Sequence, residues 1–265
     1  MNIFRKEMKA HRKSLIIWCI GMVAMVGSGM AKFGSFSSSG QSMNDLISQM
    51  PKSLQALSGV GTLDVSTVSG YYGVLFMYLV LMASIHATML GATIISKEER
   101  DHTTEFLFVK PVARKKIITI KFLAALTNVV ILTIITWVSS IFIVGNYSDG
   151  ESIVGNIAIT MAGMLILQLL FLAIGTSVAA VSKKPHKATA LATTVLLITF
   201  IVSIAIDLSE KIEFLRFITP FKYFEAKNIM YGGGFEAIFI FLSISLIILL
   251  SVVTFVFYNK RDLKV

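Results

Sequence analysis

The run YYGVLFMYLVLMASIHATMLGATII, from Tyr71 to Ile95, holds 25 residues without an Asp, Glu, Lys or Arg. As a helix it reaches ~38 Å, more than the ~30 Å hydrocarbon core of a bilayer. Lipid offers no partner to an unpaired backbone group, so such a run is read as a membrane-spanning helix. Five more uncharged runs flank it: Leu15–Ala31, Phe122–Val144, Ile153–Val181, Ala188–Ile206 and Ala237–Tyr258, between 17 and 29 residues long. The first follows a basic segment, and Gly29-Met30-Ala31 loosely resembles a small-residue cleavage site. It exceeds the roughly 7–15 apolar residues of a signal peptide, and we read it as a span. The expected fold is therefore all-α. It is a polytopic bundle of six transmembrane helices with short interfacial helices, in a single domain over residues 1–265.

The composition agrees. Of 265 residues, 55% are apolar and 15% charged, against about 25% charged in an average soluble domain. Mean hydropathy is +0.78. These values exclude a soluble enzyme and a disordered chain. One cysteine, Cys19, excludes an internal disulfide framework.

The net charge of +9 is a matter of placement. Segments 1–14, 96–121, 182–187 and 259–265 carry 18 of the 24 basic residues, and the alternate segments 32–70, 145–152 and 207–236 carry six. By the positive-inside bias, both termini are expected in the cytoplasm and the second set of loops outside. Anionic lipid of the inner leaflet is then the partner of the basic segments, and nucleic acid is not.

The first outer loop opens with Gly34-Ser35-Phe36-Ser37-Ser38-Ser39-Gly40, a flexible polar stretch. Met43, Leu46, Ile47, Met50, Leu54 and Leu57 then recur with helical spacing, interrupted by Pro51. One or two short amphipathic helices are expected, packed on the spans or closing over them as a lid. In the third outer loop, Phe214, Leu215, Phe217, Ile218, Pro220, Phe221, Tyr223 and Phe224 crowd a connection rich in charge. Such a segment dips into the interface or caps the bundle. The N-terminal segment is a basic helix whose Ile3, Phe4 and Met8 form a narrow apolar stripe; it lies on the inner leaflet or docks on a cytoplasmic protein.

The inner segment 96–121 mixes charge with an apolar ridge of Phe106, Leu107 and Phe108. Its acids Glu98, Glu99 and Asp101 come early and its bases Arg114, Lys115 and Lys116 late, which suits two short helices broken at Pro111. From the residues alone it is either a docking surface or a juxtamembrane anchor.

Chemistry inside the spans is sparse. His86, Asn128 and Gln168 are the larger polar groups and form a possible intramembrane polar site. A lone histidine there is an interhelical hydrogen-bonding group or a proton relay. The chain carries no His-Glu-x-x-His, no Gly-x-Ser-x-Gly and no Gly-x-x-x-x-Gly-Lys-Ser/Thr motif. Catalysis, a bound cofactor and a metal site are not expected on this chain. Ser38-Ser39-Gly40-Gln41 echoes the signature of ABC ATPases only by coincidence, since it lies in an outer loop. Six spans with an elaborate inner segment read as one part of a machine powered by another subunit. A membrane anchor or sensor, or an ion-coupled carrier using His86, are the alternatives.

The stretch from Lys97 to Arg114, KEERDHTTEFLFVKPVAR, resembles the ABC-2 type transporter permeases. These show an acidic pair after the second span, then a Thr-x-Glu-x-Leu variant and Pro-Val/Ile-Ser-Arg. Thr219-Pro220-Phe221-Lys222-Tyr223-Phe224 and the ending Tyr258-Asn259-Lys260-Arg261-Asp262-Leu263 extend the likeness over essentially the whole chain. His102-Thr103 stands where a Gly-Thr pair is frequent. The resemblance implies a plasma-membrane exporter subunit, paired with a second copy or a paralogue. Each would bind a separate ABC ATPase that carries the ATP and magnesium. It implies that Glu98, Glu99, Asp101, Thr104, Glu105, Phe106, Pro111 and Arg114 couple this chain to the ATPase.

Overall fold

A computed structural model describes residues 3–38, 47–60, 63–101, 113–148, 153–230 and 233–260. Six helices are long and apolar enough to cross a membrane. They are α1 (Ile3–Ser38), α3 (Val68–Arg100), α4 (Arg114–Gly145), α5 (Val154–Val181), α6 (Pro185–Leu208) and α8 (Ala237–Lys260). Among the described residues, two short helices, α2 (Lys52–Ser58) and α7 (Ala226–Met230), and two 3-10 turns, Glu210–Phe217 and Pro220–Lys222, lie in the connections. No strand occurs among the described residues.

Local chemistry sets the helix ends. Thr67 caps α3 by accepting from the Gly70 N–H at 3.0 Å, and Lys97 and Arg100 in its last turn complement the helix dipole. Pro185 occupies the first turn of α6, where its missing N–H costs nothing. α1, α3 and α4 hold 36, 33 and 32 residues, or ~50 Å. That exceeds the bilayer core, so their charged ends project beyond it.

α5 is the central helix, packed against α3, α4, α6 and α8. Its tightest neighbour is α3, approached through Gly91 and Gly175. Small residues let helix backbones meet where no water-driven term favours association. α6 and α8 turn most of their surface outward; Ile201, Phe241 and Ile248 are exposed, as suits helices bathed in lipid.

The bundle has two distinct ends. One, the basal end, joins the start of α1, the end of α3, the start of α4, the α5–α6 turn and the end of α8. Its core brings Ile95, Ile118, Ala180, Ala188 and Tyr258 together, with Phe4 and Met8 packed on it. The described parts of the four basic segments thus share one end. The opposite, distal end holds α2, the 3-10 turns and α7.

Three sequence expectations change in the structure. The stretch from Gly34 to Ser38 is helical, a continuation of α1, where a flexible stretch was expected. Phe33 anchors it against Tyr71 and Tyr147, ring centroids 5.2 and 6.4 Å away, and Ser35 returns its hydroxyl to the Ala31 carbonyl at 3.0 Å, so serine is no obstacle to the helix. The basic N-terminal segment is likewise continuous with the first span. Residues 96–100 and 114–121 are the ends of α3 and α4 and form no separate short helices; the break at Pro111 lies outside the described residues. Pro51, as expected, interrupts the periodic stretch: α2 starts at the next residue, and Gln55 Nε2 reaches back to the carbonyls of Ile47 and Met50 at 3.1 and 2.9 Å.

The aromatic connection caps the distal end. Phe221 lies 5.0 Å from Phe171 and 5.2 Å from Phe200, and Tyr223 stacks on Phe239 at 4.9 Å. The Tyr223 hydroxyl donates to the Phe217 carbonyl at 2.5 Å, and burial pushes its pKa up to about 12. Thr219 donates to the Thr199 carbonyl at 2.6 Å, tying the connection to α6.

Candidate functional site

The basal end is built around a charge that ordinary packing would exclude. Lys121, about two turns into α4, has no solvent exposure. Its ammonium donates to Glu98 Oε2 and to the Ile94 carbonyl, each at 2.5 Å. Glu98 is buried at the end of α3, where the helix dipole opposes a carboxylate; the ammonium offsets that field. Taking two charges from water costs several kcal/mol each, recovered only when both are paired and hydrogen-bonded. The pair therefore holds the ends of α3 and α4 in one register.

α1 closes over this pair. Glu7 and His11, one turn apart, are both buried, with His11 Nε2 3.8 Å from Glu7 Oε2. Asn128 of α4 donates to the Ala124 carbonyl at 2.8 Å and to Met8 Sδ at 3.2 Å. The apolar stripe of Phe4 and Met8 thus packs on the bundle. On the other flank, Arg114 Nη1 donates to the Asn259 carbonyl at 3.3 Å, fastening the start of α4 to the end of α8.

Of the eight coupling candidates, Glu98 faces inward in the pair with Lys121. Glu99 is half-buried, and Asp101 is exposed and bonded by Arg100 at 3.0 Å. Arg114 sits at the first residue of α4. Thr104, Glu105, Phe106 and Pro111 lie outside the described residues. The three intramembrane polar groups have separate partners: His86 packs its ring 5.6 Å from Trp18, Asn128 meets Met8, and Gln168 donates to Thr133 at 2.9 Å. Among the described residues no three His, Cys, Asp or Glu gather to hold a metal.

Lys121, Glu7 and His11 were not singled out by the sequence reading. The signal was present: Lys121 is the last charge before the run Phe122–Val144, and Glu7 is the one acid in a basic segment.

Mechanically, the arrangement makes α3 and α4 a pair of legs bound at the base, with residues 102–112 joining them. No curated relative matches the chain. A family model for ABC-2 family transporter proteins matches residues 1–263. With six helices able to span a membrane, the chain belongs to the ABC-2 transporter family, as a multi-pass membrane permease subunit.

Proposed function

We propose that this chain is the membrane-spanning half of an ATP-driven exporter, coupled through segment 96–121 to a separate ABC ATPase that binds ATP and magnesium. It works beside a second copy or a paralogue in the plasma membrane, with both termini in the cytoplasm. The observation that carries the reading is the buried Lys121–Glu98 pair at the root of that segment. A passive anchor gains nothing from desolvating two charges; a lever needs its two arms joined where force enters. The gathering of the described basic segments at the basal end supports its assignment to the cytoplasm.

Because Glu98 is buried against Lys121, we read its role as internal to this chain. It acts inside the lever, and the contact with the ATPase falls to residues beyond it, Glu99 and Asp101 to Arg114. Closure of the ATPase pair on ATP pushes the junction; the joined legs then shift between two packings, since packed interfaces are bistable and not continuously deformable. The free energy is the partner's, and this chain supplies the two-state element.

The test is reconstitution. The chain is purified alone and with a candidate ABC ATPase, and ATP hydrolysis and uptake into inside-out vesicles are measured. Hydrolysis only with the added subunit, and transport into the vesicle lumen only with ATP, are expected. Hydrolysis by the homogeneous chain, or no association with any ATPase, overturns the reading.

A further inference from the structure

A cavity of about 330 Å³ opens at the distal end between α3, α6 and the aromatic connection, within the ~300–1,000 Å³ of small-molecule sites. Phe76, Phe200 and Phe221 supply an apolar wall. The other wall is ionic. Lys222 Nζ lies between Asp207 Oδ1 and Glu225 Oε1, and Lys227 Nζ meets Glu225 Oε2 at 3.0 Å. The four charges form one alternating chain: Asp207, Lys222, Glu225, Lys227.

The two ends of this chain differ from its middle. The Lys222 side chain is 7% exposed and the Glu225 side chain 19%, and these two neutralise each other. Asp207 and Lys227 are 39% and 38% exposed. Among the described residues each has one ion-pair partner, and each keeps a solvent-exposed side. Asp207 falls in the last turn of α6, where the helix dipole adds to its negative field. Burial works against the Lys227 ammonium, but Glu225 beside it, with Asp207 and Glu213, more than offsets this and raises its pKa. The cavity thus offers a negative pole, a positive pole and an aromatic wall, with no net charge among the four. A ligand of one sign meets one favourable pole and one repulsive pole; a ligand carrying both signs satisfies both.

We propose that this cavity binds a zwitterionic amphiphile, with its ammonium at Asp207, its anionic group at Lys227 and its apolar part against Phe76, Phe200 and Phe221. Two sources share this chemistry: a phospholipid with an ethanolamine head group, and a short peptide with apolar side chains. As the ligand of the proposed exporter it deepens that reading, but binding needs neither the ATPase nor a known orientation.

The experiment places the full chain in nanodiscs of phosphatidylglycerol, which exposes both faces and contains no zwitterionic lipid. The probe is lysophosphatidylethanolamine with a diazirine in its acyl chain, and labelled residues are located by mass spectrometry. Labelling is expected at 200 and 221. Unlabelled lysophosphatidylethanolamine is expected to compete about tenfold better than lysophosphatidylglycerol or dodecyltrimethylammonium with similar tails. Competition by the dipeptide Phe-Leu identifies a peptide source, and its failure beside competition by the lipid identifies the lipid; both support the site. Asp207→Asn and Lys227→Gln should each lower labelling about fivefold, and Asp207→Glu and Lys227→Arg should restore most of it. Unchanged thermal unfolding separates this loss from misfolding. Equal competition by the anionic, cationic and zwitterionic lipids, or labelling unchanged in both neutral variants, overturns the proposal. Binding that persists while no ATPase associates overturns the exporter reading alone.

Discussion

Gly91 and Gly175 face each other across the α3–α5 crossing, each where a side chain has no room. A Cβ on Gly91 would lie 2.5 Å from the Leu172 carbonyl oxygen, and one on Gly175 would lie 2.3 Å from that of Thr88. Both obstacles are backbone, so neither can rotate away. Gly175→Leu or Gly91→Val must drive the two longest-packed helices apart. Overpacking costs typically about 1–3 kcal/mol where side chains can adjust, and here the cost should reach or exceed the upper value. Thermal unfolding of either variant in detergent should fall by several degrees or give aggregated protein. A control change at Gly155, which has nothing within 4 Å, should leave the melting curve near that of the parent.

The Lys121–Glu98 pair predicts a double-mutant signature. Lys121→Met or Glu98→Leu alone strands a buried charge and should cost about 3–5 kcal/mol. The double variant removes both charges and should recover most of that stability. On the proposed lever, the double variant should still fold and bind the ATPase but lose substrate stimulation of hydrolysis, because packing alone no longer fixes the register of α3 on α4. A double variant whose loss equals the sum of the two single losses would show that the two charges are not coupled.

Topology can be read by thiol labelling. Cys19 is buried and is first replaced by Ala. In that background Ser148→Cys, beyond the end of α4, should react with an impermeant maleimide in intact cells. Ser182→Cys, in the α5–α6 turn, should react only after permeabilisation. Labelling at 182 in sealed cells reverses the assignment of the basal end to the cytoplasm.

The coupling surface is tested without touching the lever. Glu105→Lys with Phe106→Ala should leave membrane insertion and expression near normal. If Phe106 is buried against the partner as in a protein core, its loss alone removes about 3–5 kcal/mol of association. The ATPase should then be lost from detergent pull-downs, or be retained without stimulation. Full association with full efflux would remove segment 96–121 from the coupling role.

The six spans and the family were legible in the amino-acid sequence, because both are local. A charge-free run of about 20 residues meets the bilayer one helix at a time, and the run around Tyr71–Ile95 needs no neighbour to be recognised. The clustering of bases into alternate segments was legible for the same reason. Pairings between distant segments were not. Glu98 stands in a motif that reads as a displayed acid, and only the packing of α4 on α3 brings Lys121, 23 residues away, to bury and neutralise it. Gly34–Ser38 reads as a loop by composition, yet Phe33 finds Tyr71 and Tyr147 and the helix continues. The aromatics between 214 and 224 announced a cap, but whether they faced lipid or the bundle depended on Phe171 and Phe200 being within 5.0 and 5.2 Å of Phe221. Asp207, Lys222, Glu225 and Lys227 are scattered charges along the chain and become one alternating row only in space. Hydrophobic burial in lipid depends on a segment's own composition; the pairing of a buried charge depends on which other segment arrives beside it, and tertiary packing alone decides that.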